Sequence, residues 1–184
     1  MSQPKVLHLV RHAQGYHQIP PEHPNEHLRD PELTPYGLEQ CTKFAEAFPD
    51  DVGIDVLCAS PMKRAIQTAL TAFPHRTPVV CVPDAQEATA VPSDTGSEPK
   101  VLRERFGDAV DLSLVPEGWF EKTGANAVDR AALWARARRL RRWVQSRPEQ
   151  SIVLVTHGHF AHYMTGNIDE NGKQTGKSWG SCDH

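Results

Sequence analysis

Three side chains able to bind or attack a charged group stand directly after apolar runs of the sequence. Arg11 and His12 follow residues 6–10, and His157 follows residues 151–156. A neutral imidazole is a nucleophile, and a guanidinium donates two parallel hydrogen bonds to an oxyanion. Ligands of open parallel sheets bind beyond the carboxyl ends of the strands, so two strands that end in histidine would point both imidazoles into one crevice.

A third element, LCASPMKRAIQTA, is predicted to converge on the same edge. Ser60 and Pro61 are residue types that begin a helix, and the free N–H groups of a helix N-terminus favour an anion. Arg64 would lie in the first turn of this helix. Two arginines, two imidazoles and a helix N-terminus suit a phosphoryl group. In such a site one histidine attacks phosphorus in line to form a phosphohistidine, and a carboxylic acid protonates the leaving oxygen.

Four short apolar runs rich in β-branched residues are predicted to be the strands that position these groups. They are residues 5–10, 54–59, 78–82 and 151–156. Their apolar character is continuous and does not alternate, which is typical of strands covered on both faces. Helices are predicted between them, so the fold class is α/β with a largely parallel sheet.

Two of the predicted helices have clear sequence signals. One has Thr34 as its N-cap and Pro35 at its first position. The other is a long helix between residues 125 and 145, whose arginines are expected on the face opposite an apolar stripe. The stripe consists of Leu133, Ala137, Leu140 and Val144.

Residues 83–124 interrupt the alternation of strands and helices. The segment is rich in proline, glycine and acidic residues, and its periodicity is weak. At roughly 40 residues it is longer than ordinary connections, so it is either a linker or a functional insertion. We expect a single domain over residues 1–184, with an insertion or lid at about 83–124.

The composition is that of an ordinary globular domain. Hydrophobic residues make up 39% and charged residues 23% of the 184 residues, which is enough for one core. The net charge of −3 provides no basic field for nucleic acid or an anionic membrane, and no run is long enough to span a bilayer. The four cysteines form no CxxC pair, and Cys58 and Cys81 lie in predicted strands as buried thiols. With no signal peptide, these features favour a cytoplasmic protein.

Four motifs in this order resemble those of the histidine phosphatase superfamily, also called the phosphoglycerate mutase-like family. They are LVRHAQGYHQ, LTPYGLEQ, ASPMKRAIQTA and VTHGH, and the resemblance extends from residue 6 to about residue 162. It is nearest to the small fungal-type phosphatases, which read RHAxGxH. The resemblance implies a three-layer α/β/α sandwich with a mostly parallel central sheet. It also implies a metal-independent phosphomonoester hydrolase, without any cofactor, that acts on a small phosphorylated metabolite through a phosphohistidine.

The same resemblance assigns roles to individual residues. His12 is the nucleophile, and Arg11, Arg64 and His157 bind the phosphate, with His157 also part of the catalytic set. Gln18 stands where the family commonly has an asparagine that contacts phosphate. Because an amide is retained there, Gln18 is also expected to bind phosphate.

The general acid and three departures from the family pattern also follow from the resemblance. Glu87 falls where the family places its acid, and Asp84 and Asp94 are rivals by position. Ala13 replaces a common glycine after the nucleophile, and Gln14 stands where an acid is frequent. The C-terminal GKSWGSCDH resembles the start of a closing strand, so we expect a truncated or incompletely ordered end.

Other functions are favoured by single features of the sequence. HGHFAH spaces histidines as in the zinc motif of metallo-β-lactamase-like hydrolases, but Ala161 stands at the required Asp position, so no metal site is predicted. RAALWARARRLRRW clusters basic and aromatic residues as nucleic-acid-binding segments do, yet its stripe favours a solvated helix face. A non-catalytic protein that binds a phosphorylated ligand would have lost a motif residue, whereas an acid candidate and all four charged or nucleophilic motif residues are present here, namely Arg11, His12, Arg64 and His157.

Within enzymes, the alternative is a phosphoglycerate mutase-type phosphotransferase. A mutase must shield the phosphoryl group from water, and the short chain favours hydrolysis. The expected partner is a small phosphorylated molecule, whose identity the sequence does not encode. Histidines at the mouth could bind acidic substrates, namely His17, His23, His27, His159 and His162. The sequence leaves open whether the chain forms a homo-oligomer.

Overall fold

A five-stranded parallel sheet forms the centre of the protein. The computed structural model describes residues 5–19, 27–49, 53–169 and 171–184. The strand order is β1-β5-β2-β3-β4. The strands are Val6–Arg11 (β1), Val56–Ala59 (β2), Val79–Cys81 (β3), Val110–Asp111 (β4) and Ser151–Thr156 (β5). The α-helices are Pro35–Ala47 (α1), Lys63–Ala72 (α2), Pro99–Phe106 (α3), Arg130–Ser146 (α4) and Gly158–Thr165 (α5).

Apolar side chains cover both faces of this sheet. Neighbouring residues of β5, such as Val153 and Leu154, belong to two separate cores because strand side chains alternate between faces. One core includes Phe44 of α1 and Ile66 of α2, and the other includes Leu140 of α4. The predicted three-layer α/β/α sandwich is confirmed, and its continuous apolar strands are explained by burial on both sides.

The connections after β1 and β5 leave the sheet on opposite faces. The two strands are neighbours, and Arg11 pairs with Thr156 at their carboxyl ends. Helix α1 then packs on one face, whereas α5 packs on the other. A crevice opens at such a point in a parallel sheet. The residues that follow β1 and β5 therefore lie at the mouth of this crevice.

The four predicted strands are all present, with ends that differ by at most two residues from the predicted ones. Strand β4 was not predicted, because two residues show no period. It lies in residues 83–124, which also contain α3 and bury Leu102 and Trp119. Trp119 donates from Nε1 to the carbonyl of Ser97 at 2.9 Å. The segment is therefore a packed part of the fold, and the interpretation as a linker is wrong.

The helix starts follow the predictions in one case out of three. Thr34 caps α1, since its Oγ1 accepts from the backbone N–H of Gly37 at 2.9 Å. Helix α2 begins at Lys63 with Met62 as N-cap, so the prediction that Ser60 caps this helix is wrong. Helix α4 begins at residue 130, later than the predicted 125, because Asp129 caps it through the N–H of residue 132.

The arginines of α4 do not all take the solvent face. The apolar stripe is buried as predicted, but Arg136 is fully buried beside it. Residue 136 is three positions after Leu133 and four before Leu140, so it lies on the buried face of the helix. Its guanidinium stacks 4.3 Å from the ring of Phe160. Across the ranges that the structure covers, no helix has both the length and the apolarity needed to cross a membrane.

Candidate active site

The imidazoles of His12 and His157 meet at the carboxyl ends of β1 and β5. Their ring centroids are 5.0 Å apart, with an angle of 62° between the ring planes. The backbone N–H of His12 donates to the carbonyl of Thr156 at 2.9 Å, which fixes the first residue after β1 against the last residue of β5. Both rings are buried. The structure therefore brings the two sequence-predicted histidines together, as the strand-end argument requires.

The hydrogen bonds of His12 define its tautomer. Its Nδ1 lies 2.7 Å from the carbonyl oxygen of Ala13, which can only accept, so Nδ1 carries the proton. Its Nε2 then carries the lone pair and accepts from Nε of Arg64 at 3.1 Å. Burial, followed by the positive charge of Arg64, holds the pKa of His12 well below its usual value. The ring is therefore neutral near pH 7, with a nucleophilic nitrogen.

Arg64, on the first turn of α2, is held from two sides. Its Nη1 donates to the carbonyl of Ser93 at 2.7 Å, and its Nη2 forms a 2.9 Å ion pair with Oδ1 of Asp94. The other carboxylate oxygen of Asp94 accepts from Oγ1 of Thr89 at 2.5 Å. Because Arg64 is fully buried, this ion pair keeps a cation in place beside His12. Asp94, a rival for the general acid, is thus engaged with Arg64.

The N-terminus of α2 already has an anion of the protein's own. Oδ1 of Asp30 accepts from the backbone N–H of Lys63 at 3.0 Å, and Oδ2 accepts from Oγ of Ser97 at 2.7 Å. Asp30 is buried, and burial raises its pKa. The prediction that this helix end binds the substrate anion therefore needs correction, because a carboxylate fills that position.

The hydroxyl of Ser60 contacts His157 as well as the start of α2, where it accepts from the backbone N–H of Met62 at 3.4 Å. Its Oγ lies 2.9 Å from Nε2 of His157, whose Nδ1 is buried without a hydrogen-bond partner among the described residues. Burial, followed by the charge of Arg64, lowers the pKa of His157 well below its usual value. Ser60 therefore orients the second imidazole of the site.

Arg11 lies across the glycine that follows His157. A Cβ on Gly158 would lie 3.0 Å from Nε of Arg11, a tight contact to which the guanidinium would have to adjust. Nη1 of Arg11 donates to the carbonyl of Trp179, and Nε is buried without a partner in the described ranges. Burial lowers the pKa of Arg11. A guanidinium nitrogen without a partner at this position can donate a hydrogen bond to an anionic oxygen.

Glu87 is tied to the loop that carries His157. Its Oε1 accepts from the backbone N–H of Ala88 at 2.7 Å and from that of Phe160, in the first turn of α5, at 3.0 Å. Asp84, the other rival for the acid, pairs with Arg139 at 2.6 Å. Of the three carboxylates that the sequence offers, Glu87 is the one without a cationic hydrogen-bond partner among the described residues.

Gln18 and Ala13 occupy defined positions near the nucleophile. Oε1 of Gln18 accepts from the backbone N–H of Gly15 at 3.0 Å and closes the 3-10 turn Tyr16–Gln18. The oxygen of this amide is therefore engaged by the backbone. The Cβ of Ala13 fits into the core, where the residue is fully buried and its N–H donates to Oγ1 of Thr68 at 3.0 Å.

Two further residues lie beside the site, His17, which was expected only at its mouth, and Lys122, which was not predicted. The ring of His17 is 5.7 Å from that of His12, and burial, with the charges of Arg64 and Arg11, lowers its pKa to about 3. Lys122 donates from Nζ to Oε1 of Gln86 at 2.7 Å, and burial lowers its pKa to about 8. His17 belongs to the RHAxGxH pattern, so the sequence contains a motif from which its place in the site could have been predicted. Lys122 lies in the segment without periodicity, and no sequence motif indicates its place in the site.

The remaining candidate histidines are more peripheral. His159 is exposed and His162 is buried, both on α5. His27 is exposed, whereas His23 lies outside the described residues. Within the described ranges, no group of three or more His, Cys, Asp or Glu side chains could hold a metal ion.

Comparison with known proteins identifies the family. Residues 7–180 match the histidine phosphatase superfamily (branch 1), so the chain belongs to this superfamily. It is 26% identical to a phosphoglycerate mutase-like protein of Arabidopsis thaliana, over 91% of this chain and 76% of that protein. It is also 28% identical to a probable phosphatase of Schizosaccharomyces pombe, over 84% of this chain and 74% of the yeast protein.

Solved structures share the fold at low sequence identity. An ecdysone phosphate phosphatase from Bombix mori, in complex with tungstate, aligns with a TM-score of 0.61 and 15% identity, over 87% of this chain and 75% of that one. A phosphoserine phosphatase from Entamoeba histolytica, in complex with phosphoserine, aligns with a TM-score of 0.55 and 19% identity, over 86% and 77% of the two chains. These similarities show the phosphoglycerate mutase-like fold.

Proposed function

We propose that this protein is a phosphomonoester hydrolase that acts on a small phosphorylated metabolite through a phosphohistidine at His12. The observation that carries the proposal is the neutral, buried imidazole of His12, whose Nε2 lone pair faces Arg64. The centroid of its ring lies 5.0 Å from that of His157. A neutral imidazole between cationic donors suits attack on a phosphate dianion. Membership of the histidine phosphatase superfamily supports the same reaction.

The first step makes the bond between Nε2 of His12 and phosphorus and breaks the ester bond to the leaving oxygen. In this step Arg64 and Arg11 transfer their donors from their present acceptors, His12 and the Trp179 carbonyl, to the equatorial oxygens of the phosphoryl group. His157, oriented by Ser60, contacts a third oxygen. These donors stabilise the charge that spreads over the equatorial oxygens in the transition state.

Glu87 supplies the proton for the leaving oxygen in this scheme. Two backbone N–H groups donate to its carboxylate, and one of them belongs to the turn after His157, which supports a role for Glu87 next to the phosphate. In the second step a water molecule attacks the phosphohistidine, Glu87 takes a proton from that water, and His12 is released with inorganic phosphate. Neither step needs a metal ion or another cofactor, so we propose metal-independent catalysis.

The substrate class follows from the chemistry of the site and from related proteins. The charged groups at the site are selective for a terminal phosphate and give no constraint on the alcohol. Two structural relatives act on ecdysone phosphate and phosphoserine, which are both small phosphomonoesters. We propose a small phosphorylated metabolite for this chain too, a binding role for Gln18, a lid role for residues 83–124 and a cytoplasmic location.

The test is hydrolysis of p-nitrophenyl phosphate in excess chelator. The wild type should release phosphate, His12→Ala should not, and His75→Ala, a change at an exposed histidine, should behave as wild type. Rapid quenching during turnover, followed by peptide mapping, should place a phosphoryl group on the peptide that contains His12. Activity that disappears with chelator and returns with a divalent cation would overturn the metal-independent mechanism. Phosphate binding without any turnover would identify a non-catalytic binding protein.

A further inference from the structure

The backbone carbonyl of Glu87 accepts hydrogen bonds from two cationic side chains. Nη2 of Arg136, on α4, donates to this oxygen at 3.1 Å, and Nζ of Lys122 donates to it at 3.3 Å. The carboxylate of Glu87 accepts from the backbone N–H of Phe160, on α5, at 3.0 Å. Glu87 is therefore held by α4 at its main chain and by α5 at its side chain.

Arg136 also contacts the residue that binds the Glu87 carboxylate. Its guanidinium carbon lies 4.3 Å from the centroid of the Phe160 ring, which is the geometry of a cation–π contact. One guanidinium thus touches the main chain of Glu87 and the side chain of Phe160. These contacts join α4 to both partners of the hydrogen bond between Glu87 and Phe160.

The guanidinium of Arg136 is fully buried, yet it forms no ion pair with any carboxylate of the described residues. Its Nε and Nη1 have no hydrogen-bond partner in the described part of the chain. Burial lowers the pKa of Arg136 to about 10, so the group is charged at neutral pH. A buried charge with so few partners lowers the stability of a fold. We therefore expect Arg136 to contribute to the position of Glu87 more than to stability.

The two residues before Glu87 are also fixed by neighbouring elements. Oγ1 of Thr156, the last residue of β5, donates to the carbonyl of Ala85 at 2.7 Å. Nε2 of Gln86 donates to the carbonyl of Trp119 at 3.1 Å. The hydrogen bond from α4 then acts on the next residue along the chain, which is Glu87.

We propose that Arg136 is a positioning residue, which holds the carboxyl group of Glu87 at the leaving oxygen of the phosphate ester. This inference rests on the proposed function, in which Glu87 protonates that oxygen. Arg136 is fully buried and contacts the main chain of Glu87 and the ring of Phe160, so it acts through Glu87. Its loss should lower the rate of ester cleavage and leave the affinity for phosphate unchanged.

The test measures kcat and KM of Arg136→Met for two aryl phosphates of similar shape, phenyl phosphate and p-nitrophenyl phosphate. Methionine is an unbranched apolar side chain that replaces the stem of the arginine without its charge. Phenolate is a more basic leaving group than p-nitrophenolate, so phenyl phosphate depends more on the general acid. We expect kcat for phenyl phosphate to fall roughly tenfold, as for the loss of one charge-assisted hydrogen bond. We expect a smaller fall for p-nitrophenyl phosphate, and no change in either KM or in the inhibition constant of inorganic phosphate.

Arg141 provides a matched control on the same helix. Its Nη1 donates to the carbonyls of Tyr163 and Met164 at 2.9 and 3.1 Å, so it also joins α4 to α5, but at the last turn of α5. Arg141→Met should show wild-type kinetics with both substrates. Similar losses in the Arg136 and Arg141 variants would indicate a structural role and overturn the proposal. A loss in Arg136→Met that is equal for the two substrates, or that appears in KM, would also overturn it.

Glu87→Gln, measured with the same two substrates, separates this inference from the proposed function. If this change lowers kcat more for phenyl phosphate, Glu87 is the acid, and adding Arg136→Met should cause no further selective loss. A selective Glu87→Gln beside an Arg136→Met protein with wild-type kinetics would overturn the role of Arg136 alone. Equal losses for the two substrates in Glu87→Gln would instead be a failure of the proposed acid, and the role of Arg136 would fall with it.

Thermal unfolding shows whether the variants are folded. Because the buried guanidinium has few partners, Arg136→Met should melt close to the wild type or above it. If Arg136→Met does not fold, Arg136→Lys decides. A lysine ammonium is a point charge that cannot stack on the Phe160 ring and donate to the Glu87 carbonyl together, so the same selective loss of kcat is expected. A folded Arg136→Lys protein with wild-type kcat for phenyl phosphate would then contradict the proposal.

Discussion

Arg64 donates from Nε to Nε2 of His12 at 3.1 Å, so the lone pair of the imidazole is hydrogen-bonded to a buried cation. This contact holds the ring in one tautomer together with the carbonyl of Ala13. In the proposed reaction, a phosphoryl group would enter between the two side chains and take over the Arg64 donor. The guanidinium is held in place by Ser93 and Asp94, so it would need only a small shift.

Asp94→Asn should weaken catalysis by releasing this guanidinium. The change removes the charge that pairs with the buried Arg64 but keeps the size of the side chain. We expect kcat/KM for an aryl phosphate to fall roughly ten- to a hundredfold, since one charge-assisted hydrogen bond no longer orients a phosphate ligand. Steady-state kinetics measure this effect, and circular dichroism checks the fold. Asp84→Asn, which affects an ion pair with Arg139, is the matched control and should retain wild-type kinetics.

Glu87→Gln separates the general acid from other roles. An alkyl phosphate has a basic leaving oxygen that needs a proton, so its kcat should fall about 10²- to 10⁴-fold. An aryl phosphate leaves as a stable phenolate, and its kcat should fall much less. Equal losses for the two substrates would show that Glu87 positions the His157 loop, to which it is hydrogen-bonded, and does not transfer the proton.

Gly158→Ala should displace Arg11. The added Cβ would lie 3.0 Å from Nε of Arg11, so the guanidinium must shift by a few tenths of an ångström. We expect KM for phosphate esters, and the inhibition constant of inorganic phosphate, to rise roughly tenfold, while the melting temperature changes little. Gly53→Ala is the control, because a Cβ at Gly53 meets nothing within 4 Å. A Gly158→Ala protein with wild-type phosphate affinity would contradict the prediction that the position of Arg11 limits phosphate binding.

Stability should fall as the pH is lowered below neutrality. Burial depresses the pKa values of His12 and His157 in the folded protein, and that of His17 to about 3, from an ordinary value of 6.5. Below pH 6.5 these histidines therefore bind protons in the unfolded chain but stay neutral in the folded protein. The stability that is present above this pH is progressively lost as the pH falls. Thermal unfolding from pH 7.5 to 5 measures the slope. His17→Gln should reduce this slope, whereas His75→Gln should leave it unchanged. An unchanged slope in His17→Gln would contradict the contribution that we assign to His17.

The sequence predicted the parts of the molecule whose signals are local. The runs that became β1, β2, β3 and β5 carry their apolar character in consecutive residues, and Thr34 caps α1 through an N–H three residues away. His12 and His157 could also be placed, because a residue that directly follows a parallel strand lies at a known edge of the sheet. The motif order then indicated the superfamily, which the match over residues 7–180 confirms.

Only the tertiary structure decided which side chains use the groups that the sequence offered. The N-terminus of α2 accepts Asp30, Ser60 orients His157, and Asp94 holds Arg64. Each of these contacts joins residues about 30 to 100 positions apart, so no period or spacing in the sequence encodes it. The same holds for the buried Arg136. Local propensity determines where elements form, whereas packing between distant segments determines which polar groups become partners.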